Sequence, residues 1–213
     1  MSTETTHDPG VERRLEPSLS PRLSPYPRGM TVQQAGSWRI HDEQDLGSFG
    51  RGTLKRVSVD LPDGVSFDQY VIVLPESVVV AAVNEAGAML MVRRHRFILD
   101  KWVWEVPGGY VEEGEDLDVA AARELEEETG WRPAQVERLV TFQPMVGSAD
   151  SANHVYAAYD CQLTNGEVDI NEAVEVRWVP LDEAVQLVKS GEIVGAASVV
   201  AISELVARQA TRR

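Results

Sequence analysis

The chain has 213 residues, of which 43% are hydrophobic and 25% charged, and its formal net charge is -14. This length allows one sizeable core, no apolar run reaches the roughly 18 residues that span a bilayer, and the N-terminus lacks an apolar signal segment, so we expect a cytoplasmic protein without a membrane partner. The acidic charge argues against a nucleic-acid partner, and a single cysteine, Cys161, excludes an internal disulfide and a cysteine-rich zinc site.

The first third of the chain divides into a tail and a strand-rich segment. Residues 1–29 contain prolines among Ser, Thr and Glu and few large apolar residues, which predicts a disordered tail. Residues 30–75 contain two β-rich runs, 53–61 and 67–74, on either side of a Pro-Asp-Gly turn, which predicts a small antiparallel β unit. A β unit of this size is only marginally stable alone, so we expect it to pack on the main domain, 76–213, or on a second subunit.

The main domain opens with two predicted central strands, 78–83 and 88–92, joined by a turn at 84–87. The sequence Arg-Arg-His-Arg-Phe follows at 93–97, and its arginines suit diphosphate contacts because the guanidinium fork matches phosphate geometry. The alternative is that these bases only balance a very acidic protein. Two glycines at 108–109 allow the backbone to approach a ligand closely.

A predicted helix at 116–129 carries the most informative charge pattern of the chain. It is rich in Ala, Leu, Glu and Arg, and the glycine behind it suits a left-handed end. Glu124, Glu127 and Glu128 fall at i, i+3 and i+4 and therefore share one face. A solvated acidic face is the alternative interpretation, yet Arg123 is the only base in this helix. A hard divalent cation such as Mg²⁺ or Mn²⁺ would offset the repulsion, since it prefers oxygen ligands.

The chain resembles the Nudix hydrolases in this region. The pattern G-x5-E-x7-R-E-U-x-E-E-x-G-U, with U an apolar residue, is met without mismatch by Gly109, Glu115, Arg123, Glu124, Leu125, Glu127, Glu128, Gly130 and Trp131. The resemblance implies a Nudix-type α/β/α sandwich around a mixed sheet. It also implies metal-dependent hydrolysis of a nucleoside diphosphate linked to another moiety.

The same resemblance assigns roles to residues of the motif. It implies that Glu124, Glu127, Glu128 and the backbone carbonyl of Gly109 bind Mg²⁺ or Mn²⁺. Glu115 and Arg123 would orient those carboxylates, since an Arg fork holds carboxylates bidentately. One cation would activate water while others neutralise the diphosphate as the bridging P–O bond breaks.

An N-terminal strand unit followed by the motif domain resembles the ADP-ribose pyrophosphatase branch of the family. That branch implies a homodimer in which the unit is exchanged between subunits, and a substrate such as ADP-ribose or a related sugar nucleotide, cleaved to a nucleoside monophosphate and a sugar phosphate. Trp38 would stack on adenine, or else be an ordinary packed tryptophan. Arg96 would contact the diphosphate, and Glu105 would reach substrate or metal.

The loop at 144–151 departs from the branch pattern, which carries a proline-glycine followed shortly by an Asp-Glu. Here Val146 precedes Gly147, and Ser151 follows Asp150 where the branch has the glutamate often proposed to activate water. Asp150, Glu172, Glu175 or a motif glutamate such as Glu127 could take that role. The open alternatives are hydrolysis of a dinucleotide or nucleoside triphosphate, and a nucleotide-sensing module without turnover.

The remainder of the chain completes the predicted sandwich. Strands are predicted at 136–142, 154–163 and 174–179, an amphipathic helix at 181–189 and a second C-terminal helix at 197–209. Helices on both faces of a mixed sheet give three layers.

Overall fold

The structure is a computed structural model that describes residues 22–23, 38–164 and 174–211. Most of the predicted tail and Glu172 lie outside the described residues. The strands are β1 (Arg22–Leu23), β2 (Arg39–Phe49), β3 (Gly52–Asp60), β4 (Val65–Val73), β5 (Ser77–Ala82), β6 (Ala88–Arg96), β7 (Lys101–Glu105), β8 (Gly108–Tyr110), β9 (Trp131–Arg132), β10 (Gln135–Phe142), β11 (Ala149–Asp150), β12 (Asn153–Tyr159), β13 (Gln162–Leu163) and β14 (Glu175–Pro180). The helices are α1 (Leu117–Thr129), α2 (Leu181–Ser190) and α3 (Ala196–Thr211).

A mixed four-stranded sheet lies at the centre, in the order β10-β12-β5-β8. Strand β12 runs parallel to β5 and antiparallel to β10, and β8 is antiparallel to β5. A three-stranded antiparallel sheet, β14-β6-β7, and a short β13-β9 pair accompany it. Strand β5 is buried from Val78 to Ala82, as expected for a run that is apolar on both faces.

The two faces of β5 contact different helices. Alternate residues Val78, Val80 and Ala82 pack in one buried cluster with Ala120, Ala121 and Leu125 of α1. The intervening Val79 and Ala81 pack in a second cluster with residues of α2 and α3, namely Ala184, Ala201, Ile202 and Leu205. The period of two along a strand therefore separates the helices into two layers, and the predicted α/β/α sandwich is confirmed.

Helix α1 ends where the sequence predicts. The Asp116 side chain caps its first turn by accepting the Asp118 N–H at 2.9 Å. Gly130 adopts φ 75° beyond the last turn, and its N–H donates to the Glu126 carbonyl at 2.7 Å. A left-handed backbone at this position favours glycine, so the glycine of the sequence pattern fixes the end of the helix.

The chain divides into two compact units. The first contains Met1–Gln44 and Val57–Gln69, and the second contains Asp45–Arg56 and Tyr70–Arg213. The predicted domain boundary after residue 75 stays a prediction. In the first unit, Asp60 accepts a hydrogen bond from the Ser66 hydroxyl and lies 3.3 Å from Arg39, and these contacts lower its pKa.

Strands β1 to β4 form a sheet in the order β1-β4-β3-β2. Within the second unit, β11 pairs in parallel with the end of β4, so that Ala149 lies opposite Ile72. None of the described helices is long and apolar enough to cross a membrane.

The packing of α1 predicts the effect of truncating its buried face. Leu125 is completely buried against β5, so Leu125→Ala removes apolar burial and leaves a cavity, and we expect it to lower the free energy of unfolding by about 3 kcal/mol. Val119→Ala on the same helix is the control, because Val119 is 58% exposed and its loss changes little. Urea unfolding of both variants measures the difference, and equal stabilities would contradict this packing.

Candidate active site

A cleft of about 800 Å³ lies in the second unit, where the first residues of β5 and β12 meet β8 and α1. Basic and acidic residues both line this cleft. The bases are Arg51, Arg94, Arg96 and Arg123, and the acids are Glu112, Glu124, Glu127 and Glu128. A cleft with this lining can hold an anionic ligand against the arginines while carboxylates face it from the helix.

The guanidinium of Arg123 connects the acids of the sequence motif. Its Nε and Nη2 donate to the two oxygens of Glu115, each at 2.8 Å. Its Nη1 donates to Glu124 at 2.8 Å and to Glu127 at 3.0 Å, and Nη2 also reaches the carbonyl of Tyr110 at 3.2 Å. One side chain thus links the loop before α1, the face of α1 and the end of β8.

These contacts shift the pKa values of both Glu115 and Arg123. The hydrogen bonds from Arg123 lower the pKa of Glu115 to about 2, against the opposing effect of burial, and the N–H of Glu112 contributes by donating at 3.0 Å. The pKa of Arg123 is raised, first because it donates to Glu115. Both groups are charged throughout the physiological pH range.

Gly109 is required by the position of Glu124. A Cβ built on Gly109 would overlap the carboxylate of Glu124, so any other residue would displace this motif acid. Gly109 lies opposite Val78 in the register of β8 and β5, which places its backbone at the cleft. The glycine at the start of the motif therefore serves close approach between strand and helix.

Glu128 is held by a different base. Its Oε2 accepts from Nη2 of Arg94 at 2.6 Å and from the N–H of Gly108 at 3.2 Å, and the residue is 2% exposed. Arg94 and Arg96 share one face of β6, whereas Arg93 lies on the other face, with its guanidinium 5.8 Å from the ring centre of Trp102. Successive side chains of a strand point to opposite faces, so Arg94 and Arg96 lie on one face and Arg93 on the other.

Arg96 and Glu105 are brought together on neighbouring strands. Nε of Arg96 donates to the two oxygens of Glu105 at 2.9 and 3.1 Å, and Arg96 lines the cleft. The same carboxylate lies 3.5 Å from Nε of Arg94. Two of the three predicted substrate-binding residues, Arg96 and Glu105, therefore belong to one charged cluster at the ends of β6 and β7.

Three predicted candidates, Trp38, Asp150 and Glu175, are not among the residues that line the cleft. Trp38 belongs to the first unit, where its ring meets Phe67 edge to face with centres 5.6 Å apart. Asp150 is exposed, accepts from Gln143 at 3.1 Å and is absent from the cleft lining. Ser151 lines the cleft instead, and its N–H donates to the same Gln143 at 2.9 Å. Glu175 pairs with Arg93 at 3.8 Å, outside the lining.

Sequence reasoning missed Arg51. Its guanidinium lies 5.8 Å from the ring centre of Tyr110, and both residues line the cleft. Arg51 stands in the turn between β2 and β3, far along the chain from the motif, so no spacing pattern could connect the two.

The motif residues fit a divalent cation by their chemistry. Glu124, Glu127 and Glu128 offer carboxylate oxygens, and Gly109, which lines the same cleft, has a backbone carbonyl. Oxygen donors of this kind suit a hard ion. Among residues 38–164 and 174–211, no three His, Cys, Asp or Glu side chains already converge as metal ligands. The carboxylates face Arg123 and Arg94 instead, so convergence on an ion requires these ion pairs to rearrange.

Comparison with known proteins gives concordant matches. Residues 73–199 match the NUDIX domain. The chain is 40% identical over 163 residues to the CMP-5'-(N-acetyl-N-hydroxy-3-aminopropyl)phosphonate hydrolase of Streptomyces rubellomurinus, which covers 76% of each protein. It is 35% identical over 154 residues to the ADP-ribose pyrophosphatase of Bacillus subtilis, covering 71% of this chain and 83% of that protein. A crystal structure of an ADP compounds hydrolase superposes with a TM-score of 0.74 at 18% identity, covering 84% of this chain and 97% of the other.

The Glu115–Arg123 pair predicts how stability depends on pH. Because the pKa of Glu115 is lower in the folded than in the unfolded chain, its stabilisation is complete above the unfolded value of about 4.5 and is lost as the pH falls towards about 2. We expect Glu115→Gln to cost about 1 to 2 kcal/mol at pH 7, allowing for solvent screening in the cleft, and about half of that at pH 3.

Urea unfolding at both pH values checks this, with Glu113→Gln on the exposed neighbouring turn as the control for loss of one negative charge. A difference between the wild type and Glu115→Gln that stays constant or grows on acidification would contradict the lowered pKa.

Proposed function

We propose a substrate and a mechanism on the premise that this chain belongs to the NUDIX hydrolase family, which the domain match and the curated relatives establish. The substrate is a nucleoside diphosphate linked to another moiety, with ADP-ribose or a related sugar nucleotide as the first candidate. The products are a nucleoside monophosphate and a sugar phosphate. The observation that carries the proposal is the cleft that Arg51 and Arg96 line together with Arg123 and with the motif acids Glu124 and Glu127 that Arg123 binds.

The arginines of the cleft bind the diphosphate in this proposal. Arg96 stands at the end of β6 with its guanidinium held by Glu105, and Arg51 projects beside Tyr110. Two guanidinium groups suit a diphosphate because each can donate two parallel hydrogen bonds to phosphate oxygens. Local positive charge is needed here, since the chain as a whole carries a formal charge of -14.

The family requires a divalent cation, and we propose Mg²⁺ or Mn²⁺ held by Glu124, Glu127, Glu128 and the carbonyl of Gly109. When bound, the ion supplies positive charge to the diphosphate and lowers the pKa of water. Arg123 holds Glu124 and Glu127 on one face of α1 through its ion pairs with both carboxylates. Glu115 in turn fixes the guanidinium through its two hydrogen bonds.

Glu127 is the proposed acceptor of the proton from water. Its side chain is 59% exposed, whereas those of Glu124 and Glu128 are 13% and 3% exposed, so Glu127 has the most room to meet a solvent molecule. The water oxygen forms a bond to one phosphorus, the bond from that phosphorus to the bridging oxygen breaks, and the electron pair leaves with the departing phosphate. Asp150 is the alternative acceptor if its loop turns towards the cleft.

A CMP-linked phosphonate is a second candidate substrate. The observation that favours it is the 40% identity to the Streptomyces rubellomurinus enzyme, whose name specifies such a compound. Both candidates join a nucleoside 5'-phosphoryl group to a second phosphorus-containing or sugar-bearing moiety. Arginines and carboxylates that handle a diphosphate are suited to either.

We also propose that residues 30–75 form a β unit that exchanges in a cytoplasmic homodimer and presents Trp38 to the base. Stacking of one base on an aromatic ring contributes about 1 to 3 kcal/mol, so Trp38→Ala should raise KM for the nucleotide by about tenfold with little change in kcat. Phe49→Ala is the control, since Phe49 is another exposed aromatic residue of the same region. Equal KM values for both variants, or a monomer mass by light scattering, would remove this part of the proposal.

The substrate class is tested by product release from ADP-ribose, other sugar nucleotides, a CMP-linked phosphonate, dinucleotides and nucleoside triphosphates, each with Mg²⁺ or Mn²⁺. We expect turnover of ADP-ribose or a related sugar nucleotide. Glu127→Gln should lower kcat by about 10² to 10⁴, the range that one general base contributes.

Glu126→Gln is the matched control for this series. It removes a neighbouring acid of α1 that pairs with Arg132 outside the cleft, so activity should be unchanged. Turnover of the CMP-linked phosphonate alone would select the second candidate. Tight nucleotide binding without turnover of any compound would overturn hydrolysis in favour of a sensing module.

A further inference from the structure

The free edge of β7 is covered by the chain that leads into α3. Strand β7 lies at one end of the β14-β6-β7 sheet, so the N–H groups on its outer side need acceptors from outside that sheet. The Trp104 N–H donates to the carbonyl of Glu192 at 2.9 Å. Two residues further on, the Val106 N–H donates to the hydroxyl of Ser198, in the first turn of α3, at 3.0 Å. This part of the chain therefore depends on a side chain of α3.

The hydrogen bond between Val106 and Ser198 is buried. Each residue is 4% exposed, and a buried N–H that loses its acceptor is costly. A serine in a helix can bond to its own backbone, as Ser203 of α3 does by donating to the Val199 carbonyl at 2.8 Å. Ser198 instead accepts from a residue 92 positions away along the chain. Its hydroxyl therefore joins α3 to the chain that enters the cleft.

Val106 stands between two parts of the cleft. Directly before it, Glu105 accepts from Nε of Arg96 at 2.9 and 3.1 Å. Two residues after it, Gly108 lies so close to β5 that a Cβ on Gly108 would overlap the Val78 carbonyl. Because β5 blocks movement at Gly108, a displacement of the backbone at Val106 is transmitted towards Glu105.

Glu105 also lies beside the start of α3. A Cβ built on Gly195, the residue before this helix, would lie 3.8 Å from the Ser198 hydroxyl and 3.9 Å from Oε1 of Glu105. The hydroxyl and the carboxylate therefore border the same small residue. The N-terminal end of a helix carries partial positive charge, which favours a carboxylate at this place. The start of α3 thus contacts both Glu105 and the backbone that follows it.

We propose that Ser198 is a positioning residue of the cleft, whose hydroxyl fixes the backbone at Val106 and thereby sets where Glu105 holds Arg96. The inference rests on the proposed function, because it takes Arg96 as a contact of the diphosphate. Helix α3 packs on the face of β5 opposite to α1, and it contributes to substrate binding without touching the substrate. Loss of the hydroxyl displaces Glu105, and the guanidinium of Arg96 with it.

The test compares Ser198→Ala with the wild type in steady-state hydrolysis of ADP-ribose, or of the compound in the substrate panel that the wild type hydrolyses fastest. We expect KM to rise about tenfold and kcat to change less than about threefold, because a displaced binding group loses substrate affinity. A merely structural role would lower the fraction of active protein, and with it kcat, but leave KM unchanged. Ser203→Ala removes a hydroxyl from the exposed side of the same helix and should behave like the wild type. Ser198→Thr keeps the hydroxyl and should restore KM to within about threefold.

A double-mutant cycle tests whether Ser198 acts through Arg96. Arg96→Ala should itself raise KM, since it removes the proposed diphosphate contact. Adding Ser198→Ala to Arg96→Ala should then raise KM by less than about twofold, because the guanidinium that Ser198 positions is absent.

An unchanged KM in Ser198→Ala, or an equal rise of KM in both backgrounds, would overturn the positioning role and leave the proposed function intact. If Ser198→Ala does not fold, Ser198→Cys replaces it, because a thiol fills the same space and is only a weak acceptor. An unchanged KM in Ser198→Cys would overturn the role too. An unchanged KM in Arg96→Ala, or a wild type that hydrolyses no compound of the panel, would instead reject the proposed function and this inference with it.

Discussion

The guanidinium of Arg123 is the interaction on which the cleft depends. Glu124 and Glu127 lie three residues apart on one face of α1, where like charges repel each other. Arg123 contacts both, and its bidentate hydrogen bonds to Glu115 fix the group from the other side. Its contact with the carbonyl of Tyr110 ties β8 to the same centre. Without this one base, Glu115, Glu124 and Glu127 would lose the positive charge that they share.

The alternation of side chains along β5 and β6 determines which residues of these strands face α1 and the cleft. Alternation along β5 commits Val78 and Val80 to α1 and Val79 to the opposite layer, so the helix that bears the acids is held by apolar packing rather than by its charges. Alternation along β6 sends Arg94 and Arg96 to the cleft and Arg93 away from it. The charged groups lie at the end of the sheet, and the apolar core between the sheet and the helices stabilises the elements that carry them.

The fold and part of the candidate site can be predicted from the sequence, because they depend on patterns among residues that are close along the chain. The helix predicted at 116–129 matches α1, and Glu115 with Arg123 follows from a motif of fixed spacing. The pairing of Arg94 with Glu128 joins residues 34 positions apart, and no short-range pattern encodes it. Arg51 and Ser151 reach the cleft through a turn and a loop, whose course depends on tertiary contacts such as the Gln143 hydrogen bonds to the chain at Asp150 and Ser151.

Anomalous diffraction from crystals soaked in Mn²⁺ tests the central claim most directly, since it locates the ion without relying on turnover. The account predicts a peak within bonding distance of carboxylate oxygens of Glu124, Glu127 and Glu128, with Arg123 still bound to Glu115. A peak elsewhere on the molecule, or a cleft that keeps all its Arg–Glu contacts at saturating Mn²⁺ while the protein hydrolyses its substrate, would contradict the account.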